Sequence, residues 1–295
     1  MELRVLNYFL MVAREENITR AAQLLHVTQP TLSRQLMQLE QELGVKLFHR
    51  SSHSILLTDE GRLLKRRAQE ILDLTERTKR EFVRTESLSG EIAIGSGEYK
   101  STGFFADLLA SFHREHPLVR YALYSGNSDN NKERIESGAL DLGLLFEPVD
   151  KRRYQFVRFP IRERWGVLAR TDSPLAAQEA VAPQDLVGAP LIFSRRELVQ
   201  NELNHWLGDC AGKIEIVASG NLSYNLAALA KSGLGPVMAI DMDCRYDGLT
   251  FIPLRPALQS TTVLVWKKTQ TLSLATQAFL DHVHKCLKSI PRDVK

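Results

Sequence analysis

The stretch ITRAAQLLHVTQPTLSRQLMQL, residues 18–39, imposes two short helices joined by a tight turn, and the rest of the chain takes its meaning from that pair. Thr19 is placed to cap the first helix, and Ala21, Ala22, Leu24 and Leu25 give it small and apolar faces that admit a second helix at close range. A turn at His26 and Val27 separates the two. Thr28 offers a hydroxyl to the free amides of the next helix, and Pro30 sits in its first turn, where an absent N–H is no loss. Leu32, Leu36, Leu39 and Leu43 recur at spacings of four, three and four and so share one buried face. Thr31, Arg34, Gln35 and Gln38 point the other way.

That outward face carries Arg and Gln with few acids, the side chains that make paired hydrogen bonds to guanine and adenine edges in a DNA groove. A solvated polar face is the plainer reading, because the same helix spacing occurs in ordinary helical pairs.

The longer run AAQLLHVTQPTLSRQLMQLEQELGVKLFHR, followed by LLTDEG, resembles the LysR-type transcriptional regulators. The resemblance is close from Met1 to about Leu88, and beyond it the chain is similar in length and element order to that family's effector-binding domain. It implies an α/β protein overall: a winged helix-turn-helix that binds promoter DNA, a long dimerising linker helix, and a two-lobed α/β effector domain like that of periplasmic binding proteins. Matched position by position, it places Thr28, Gln29, Pro30, Thr31, Ser33, Arg34 and Gln38 on the DNA-binding helix, with Arg50 on the wing. The implied partners are double-stranded promoter DNA, a second copy through the linker helix with a homotetramer beyond it, and a small-molecule effector.

Composition neither adds to nor opposes this. With 44% hydrophobic and 25% charged residues, 295 residues are enough for two or three cores. Residues 1–90 hold 14 Lys plus Arg against 12 Asp plus Glu, and the remainder 24 against 23, so DNA binding must be argued from placement rather than bulk charge. Cys210, Cys244 and Cys286 are widely spaced and odd in number, which fits reduced thiols. Residues 5–13 are apolar but short and lack a small-residue cleavage site, and no run is long enough to cross a bilayer. A cytoplasmic protein without membrane contact is expected.

Leu6, Phe9, Leu10 and Ala13 mark a first helix ending near Glu16 and Asn17. Gly44 stops the second helix of the pair, and residues 45–57 alternate loosely as a small β-wing whose tip holds Arg50, Ser51, Ser52 and His53. Serines and a histidine stand where the family carries a basic wing. Thr58, Asp59 and Glu60 start a helix that runs to about Ser87. Its positions Leu64, Ala68, Ile71, Thr75, Thr78 and Phe82 form a heptad seam implying a partner helix, two of them Thr; the alternative is a helix lying on its own domain. The domains expected are therefore 1–58, 59–89 and 90–295.

After a hinge at 88–90 the period changes. Strands are predicted at 91–96, 120–124, 140–146, 166–169, 190–193, 213–218, 236–240 and 261–266, and helices at 104–113, 131–137, 197–207, 222–231 and 274–287. This alternation argues for two α/β units with parallel strands. The lobes are expected at about 90–161 with 267–295, and at about 162–266, with crossings near 159–162 and 266–268.

Ligands of open α/β sheets sit beyond strand carboxyl ends, where helix N-termini offer amides to anions. That rule selects loops 97–102, 125–130, 194–196 and 219–223, with Ser101, Thr102, Ser128, Ser194 and Asn221 as cleft-lining side chains. Lys100, Arg195 and Arg196 would add charge for a small carboxylate or other anion. Each Ser, Thr or Asn is equally a helix cap. Gly233 and Gly235 end a helix rather than bind a dinucleotide. No catalytic constellation, metal site or cofactor motif is visible: Gly95, Ser96 and Gly97 are too close for a nucleophile elbow, and His113 and His116 lack a third ligand. The rivals are a solute-binding protein, which would need export, and an enzyme, which would need a base and a nucleophile.

Overall fold

The structure, a computed structural model, describes residues 1–50, 55–81, 87–194 and 197–290, with the backbone alone at 50, 76, 77, 80, 81, 194 and 197–201. The chain divides into two compact units, Met1–Arg84 and Thr85–Lys295.

In the first unit, α1 (Leu3–Glu15), α2 (Ile18–Leu24) and α3 (Gln29–Leu43) pack around Leu6, Phe9, Val12, Ala21, Leu32, Leu36 and Leu39, all buried. The cap of α2 is Asn17 rather than Thr19. Asn17 is still extended and its side chain accepts from Arg20 N at 3.0 Å, whereas Thr19 already lies inside the helix. His26 takes a left-handed conformation in the turn, with φ 54°. Thr28 caps α3 as expected, accepting from Thr31 N at 3.4 Å. Leu43 departs from the predicted stripe and is exposed, because α3 ends at Gly44 before its face meets the core.

The wing is an antiparallel pair, β1 (Phe48–Arg50) with β2 (Ile55–Leu57). Ser51, Ser52 and His53 of its expected tip lie outside the described residues. Glu40 was not singled out, yet it is buried and anchors this wing, its carboxylate accepting from Leu47 N at 2.8 Å and Phe48 N at 3.4 Å. Thr58 then starts α4 (Asp59–Glu81), accepting from Gly61 N at 2.9 Å. Ala68 is buried and Leu64, Ile71 and Leu72 pack with it on the core of this same unit. The first half of the predicted seam therefore lies on its own domain. Thr75 and Thr78 donate to the carbonyls of Ile71 and Leu74, and Phe82 is outside the described residues.

In the second unit, β3 (Ser89–Ser96) runs parallel between β4 (Leu118–Ser125) and β5 (Leu142–Phe146). Ser89 and Gly90, expected in a hinge, pair with Leu118 and Val119 in the sheet. α5 (Ser101–Glu115) and the last helix pack Phe105, Phe112 and Phe279 over one face, and α6 (Ser128–Glu136) sets Ile135 on the other beside Leu145. β6 (Tyr154–Arg170) was read only over its last part. It is one continuous strand crossing between lobes, pairing first with β11 (Gln259–Lys267), then with β9 (Val237–Ile240) and β10 (Leu249–Pro253).

β7 (Pro190–Ser194) runs parallel to β8 (Glu215–Gly220) and β9, with α7 (Glu197–Leu207) and α8 (Ser223–Lys231) against them. Leu226, Ala227 and Ala230 of α8 meet Leu168, Ile192 and Val237. α9 (Leu274–Ser289) returns to the first lobe as expected. The second crossing is displaced from the predicted 266–268. β11 pairs with β5 from Thr262 to Val265, so the chain has re-entered the first lobe before that point.

Candidate DNA interface and ligand cleft

On α3 the inner leucines are buried while Gln29, Pro30, Arg34 and Gln38 are exposed and Thr31, Ser33 and Gln35 half-exposed. The face is set by helical period, its start by the Thr28 cap and its end by Gly44, whose φ is 70°. Arg50 ends β1, opposite Ile55, and its side chain lies outside the described set. The residues predicted on the reading helix are thus brought to one surface.

The second unit holds a cleft with a volume of about 120 Å³. It lies beyond the carboxyl ends of β3, β4 and β8, and Gly97, Gly126, Asn127, Gly220, Asn221 and Ser223 come from three of the four predicted loops. Its walls are aromatic and aliphatic: Tyr99, Phe146 and Trp165 on one side, Leu168, Leu226, Tyr246 and Phe251 on the other. Trp165 is held by its Nε1, which donates to Ser260 Oγ at 2.9 Å. Burial, with the Cys244 thiol alongside, pushes the Tyr246 phenol well above its ordinary value.

Three of the four predicted loops line the cleft, but most of the predicted side chains that are described do not. Ser101 is fully buried and accepts from Thr262 Oγ1 at 2.9 Å. Thr102 accepts from Tyr99 N at 3.3 Å and so orders its own loop. Ser128 is fully buried, 3.5 Å from the Tyr99 hydroxyl. Lys100 turns its ammonium to Asp243, 3.0 Å away. Asn221 lines the cavity as expected; Ser194 pairs with Gly220 in the sheet; Arg195 and Arg196 lie outside the described residues.

Two carboxylates do what the serines were expected to leave open. Glu163 of β6 is fully buried and accepts from Lys100 N at 2.8 Å and Ser101 N at 3.0 Å, filling the amides at the start of α5. Glu98 reaches the other lobe and accepts from Ser223 N at the start of α8. Asp241 also lines the cleft: burial, the largest single influence, opposes its ionisation, but the hydrogen bonds from Arg164 and Asp243 N together with the charges of Arg164 and Lys100 outweigh it and hold its pKa below the usual aspartate value. The alternation around Glu163 was a usable signal, since Arg162 and Arg164 are exposed while Glu163 and Trp165 are buried, the period of a strand with one face inward. Glu98 carried no comparable signal. Phe251 escaped because its strand, β10, was not predicted.

Residues 3–62 match the family described as "Bacterial regulatory helix-turn-helix protein, lysR family", and residues 85–287 match the "LysR substrate binding domain". The chain belongs to the LysR family. As a LysR-type transcriptional regulator it binds DNA through its helix-turn-helix and carries an effector-binding domain. Among its relatives is an uncharacterized HTH-type transcriptional regulator, YybE of Bacillus subtilis (strain 168), 29% identical over 96% of this chain and 98% of that protein. The DNA-binding transcriptional dual regulator OxyR of Escherichia coli (strain K12) is 28% identical over 98% of this chain and 99% of its own. The fold matches that of full-length CbnR complexed with its target DNA, with a TM-score of 0.75 and 22% identity over 97% of this chain and 99% of that one.

The LysR architecture here brings no three His, Cys, Asp or Glu side chains together as a metal site among the described residues. Cys210, Cys244 and Cys286 are free thiols. None of the described helices is long and apolar enough to cross a membrane.

Proposed function

We propose that this LysR regulator works in the cytoplasm as a homodimer, or a dimer of dimers, that reads promoter DNA with α3 and changes its grip when a small molecule occupies the cleft. The observation that carries the reading is the division of α3 into a buried leucine face and an exposed face bearing Gln29, Arg34 and Gln38. Dimerisation is supported by α4, which leaves Leu63 and Leu74 exposed after its other apolar residues are used within the unit. Two copies supply two reading helices for two half-sites.

Arg34→Ala tests the α3 assignment by fluorescence anisotropy on an operator fragment. A base-directed Arg contributes on the order of 1–3 kcal/mol, so affinity should fall about 5- to 150-fold, with specificity relaxed at one base pair. Unchanged affinity and specificity would remove the assignment.

A further inference from the structure

Taking the cleft as the effector site, we propose that its ligand is an uncharged, ring-bearing apolar molecule rather than a carboxylate or phosphate. An anion in an α/β cleft is ordinarily held by amides at helix N-termini or by a basic side chain. Three helix starts flank this cavity: those of α5 and α8 receive the chain's own carboxylates, and that of α6 receives the Asn127 side chain, which accepts from Asp129 N and Asn130 N. Glu163 takes the amides of Lys100 and Ser101 at α5, and Glu98 takes Ser223 N at α8.

The neighbouring cations among the described residues are committed as well. Lys100 is paired with Asp243 and Arg164 with Asp241, and no Lys or Arg is among the described residues that line the cavity. An anion approaching α8 would have to displace Glu98 and would face its charge at short range. What remains for a ligand is the aromatic wall of Tyr99, Phe146, Trp165 and Phe251, with Asn221 and Ser223 at the polar end, the composition of a site that binds by apolar contact and a few hydrogen bonds.

The test uses the full chain and two probes of one shape, 1-naphthol and 1-naphthoate, titrated by calorimetry at pH 7. 1-Naphthol should bind at least tenfold more tightly, and Ala239→Leu, which narrows the cavity, should weaken it at least fivefold. Asn221→Trp at the exposed rim serves the same purpose should Ala239→Leu fail to fold. Glu98→Ala, which opens the α8 amides, should improve 1-naphthoate and shrink the gap between the probes. Equal or tighter binding of 1-naphthoate to the unaltered chain, still weakened by Ala239→Leu, overturns the uncharged-ligand proposal and leaves the cleft as effector site. Binding of neither probe, or binding indifferent to both cavity variants, overturns the cleft reading and the proposal together.

Discussion

Asp241 shows how a single carboxylate can be worth most where it is half-buried and paired. Its folded pKa lies below the ordinary value of 3.8, so it contributes stability above that pH and loses the contribution as pH falls through the folded value. Asp241→Asn should therefore lower the melting temperature at pH 7, with a deficit that shrinks as the pH falls below 3.8. A deficit that persists undiminished at pH 3 would locate its effect in packing instead. At this scale the chain was only partly legible. Thr28, Pro30 and Gly44 act locally, through caps and backbone conformation, and their roles could be read from neighbours in sequence. Glu40, Glu98 and Glu163 bond to backbone amides 7, 125 and 62 positions away; the alternation around Glu163 marks its burial, but no local pattern marks the partner of any of the three.

Among the elements, two glycines separate conformational from steric demand. Gly44 ends α3 with φ 70° and has open space where a side chain would go, so Gly44→Ala should cost about 1 kcal/mol, the strain of a left-handed residue alone. Gly235 sits where a Cβ would lie 1.8 Å from the Pro190 carbonyl oxygen, which forces the turn before β9 away from β7. Gly235→Ala should cost more than Gly44→Ala by at least 1 kcal/mol in denaturant unfolding, and equal losses would contradict the close approach.

The expected helices of strong apolar period lie within a few residues of the observed ones, and α7 coincides with its expected span, Glu197–Leu207. The errors concentrate in β6 and β10 and in the position of the second crossing. β6 mixes exposed and buried positions over its first half because it edges from one lobe into the other, so no single alternation spans it. The linker seam misled differently: a spacing of four and three serves a partner helix and the unit's own core alike, and Leu64, Ala68 and Ile71 are spent on the core.

For the whole molecule, a LysR regulator joins a DNA-reading unit whose chemistry is local to a cleft whose chemistry is assembled from distant segments. The exposed face of α3 could accordingly be named from sequence, while the cleft could be located by its loops but, Asn221 apart, not by its side chains. A net charge of +3 gives little nonspecific attraction, and under the proposed function specific contacts from α3 carry recognition. The measurement that tests this most directly is a hydroxyl-radical footprint of the full chain on operator DNA selected from a randomised pool, repeated with Arg34→Ala. The account predicts protected, two-fold-related half-sites centred about 10 base pairs or a multiple apart, with protection lost or relaxed in the variant. A single asymmetric footprint, or one unaltered by Arg34→Ala, would contradict it.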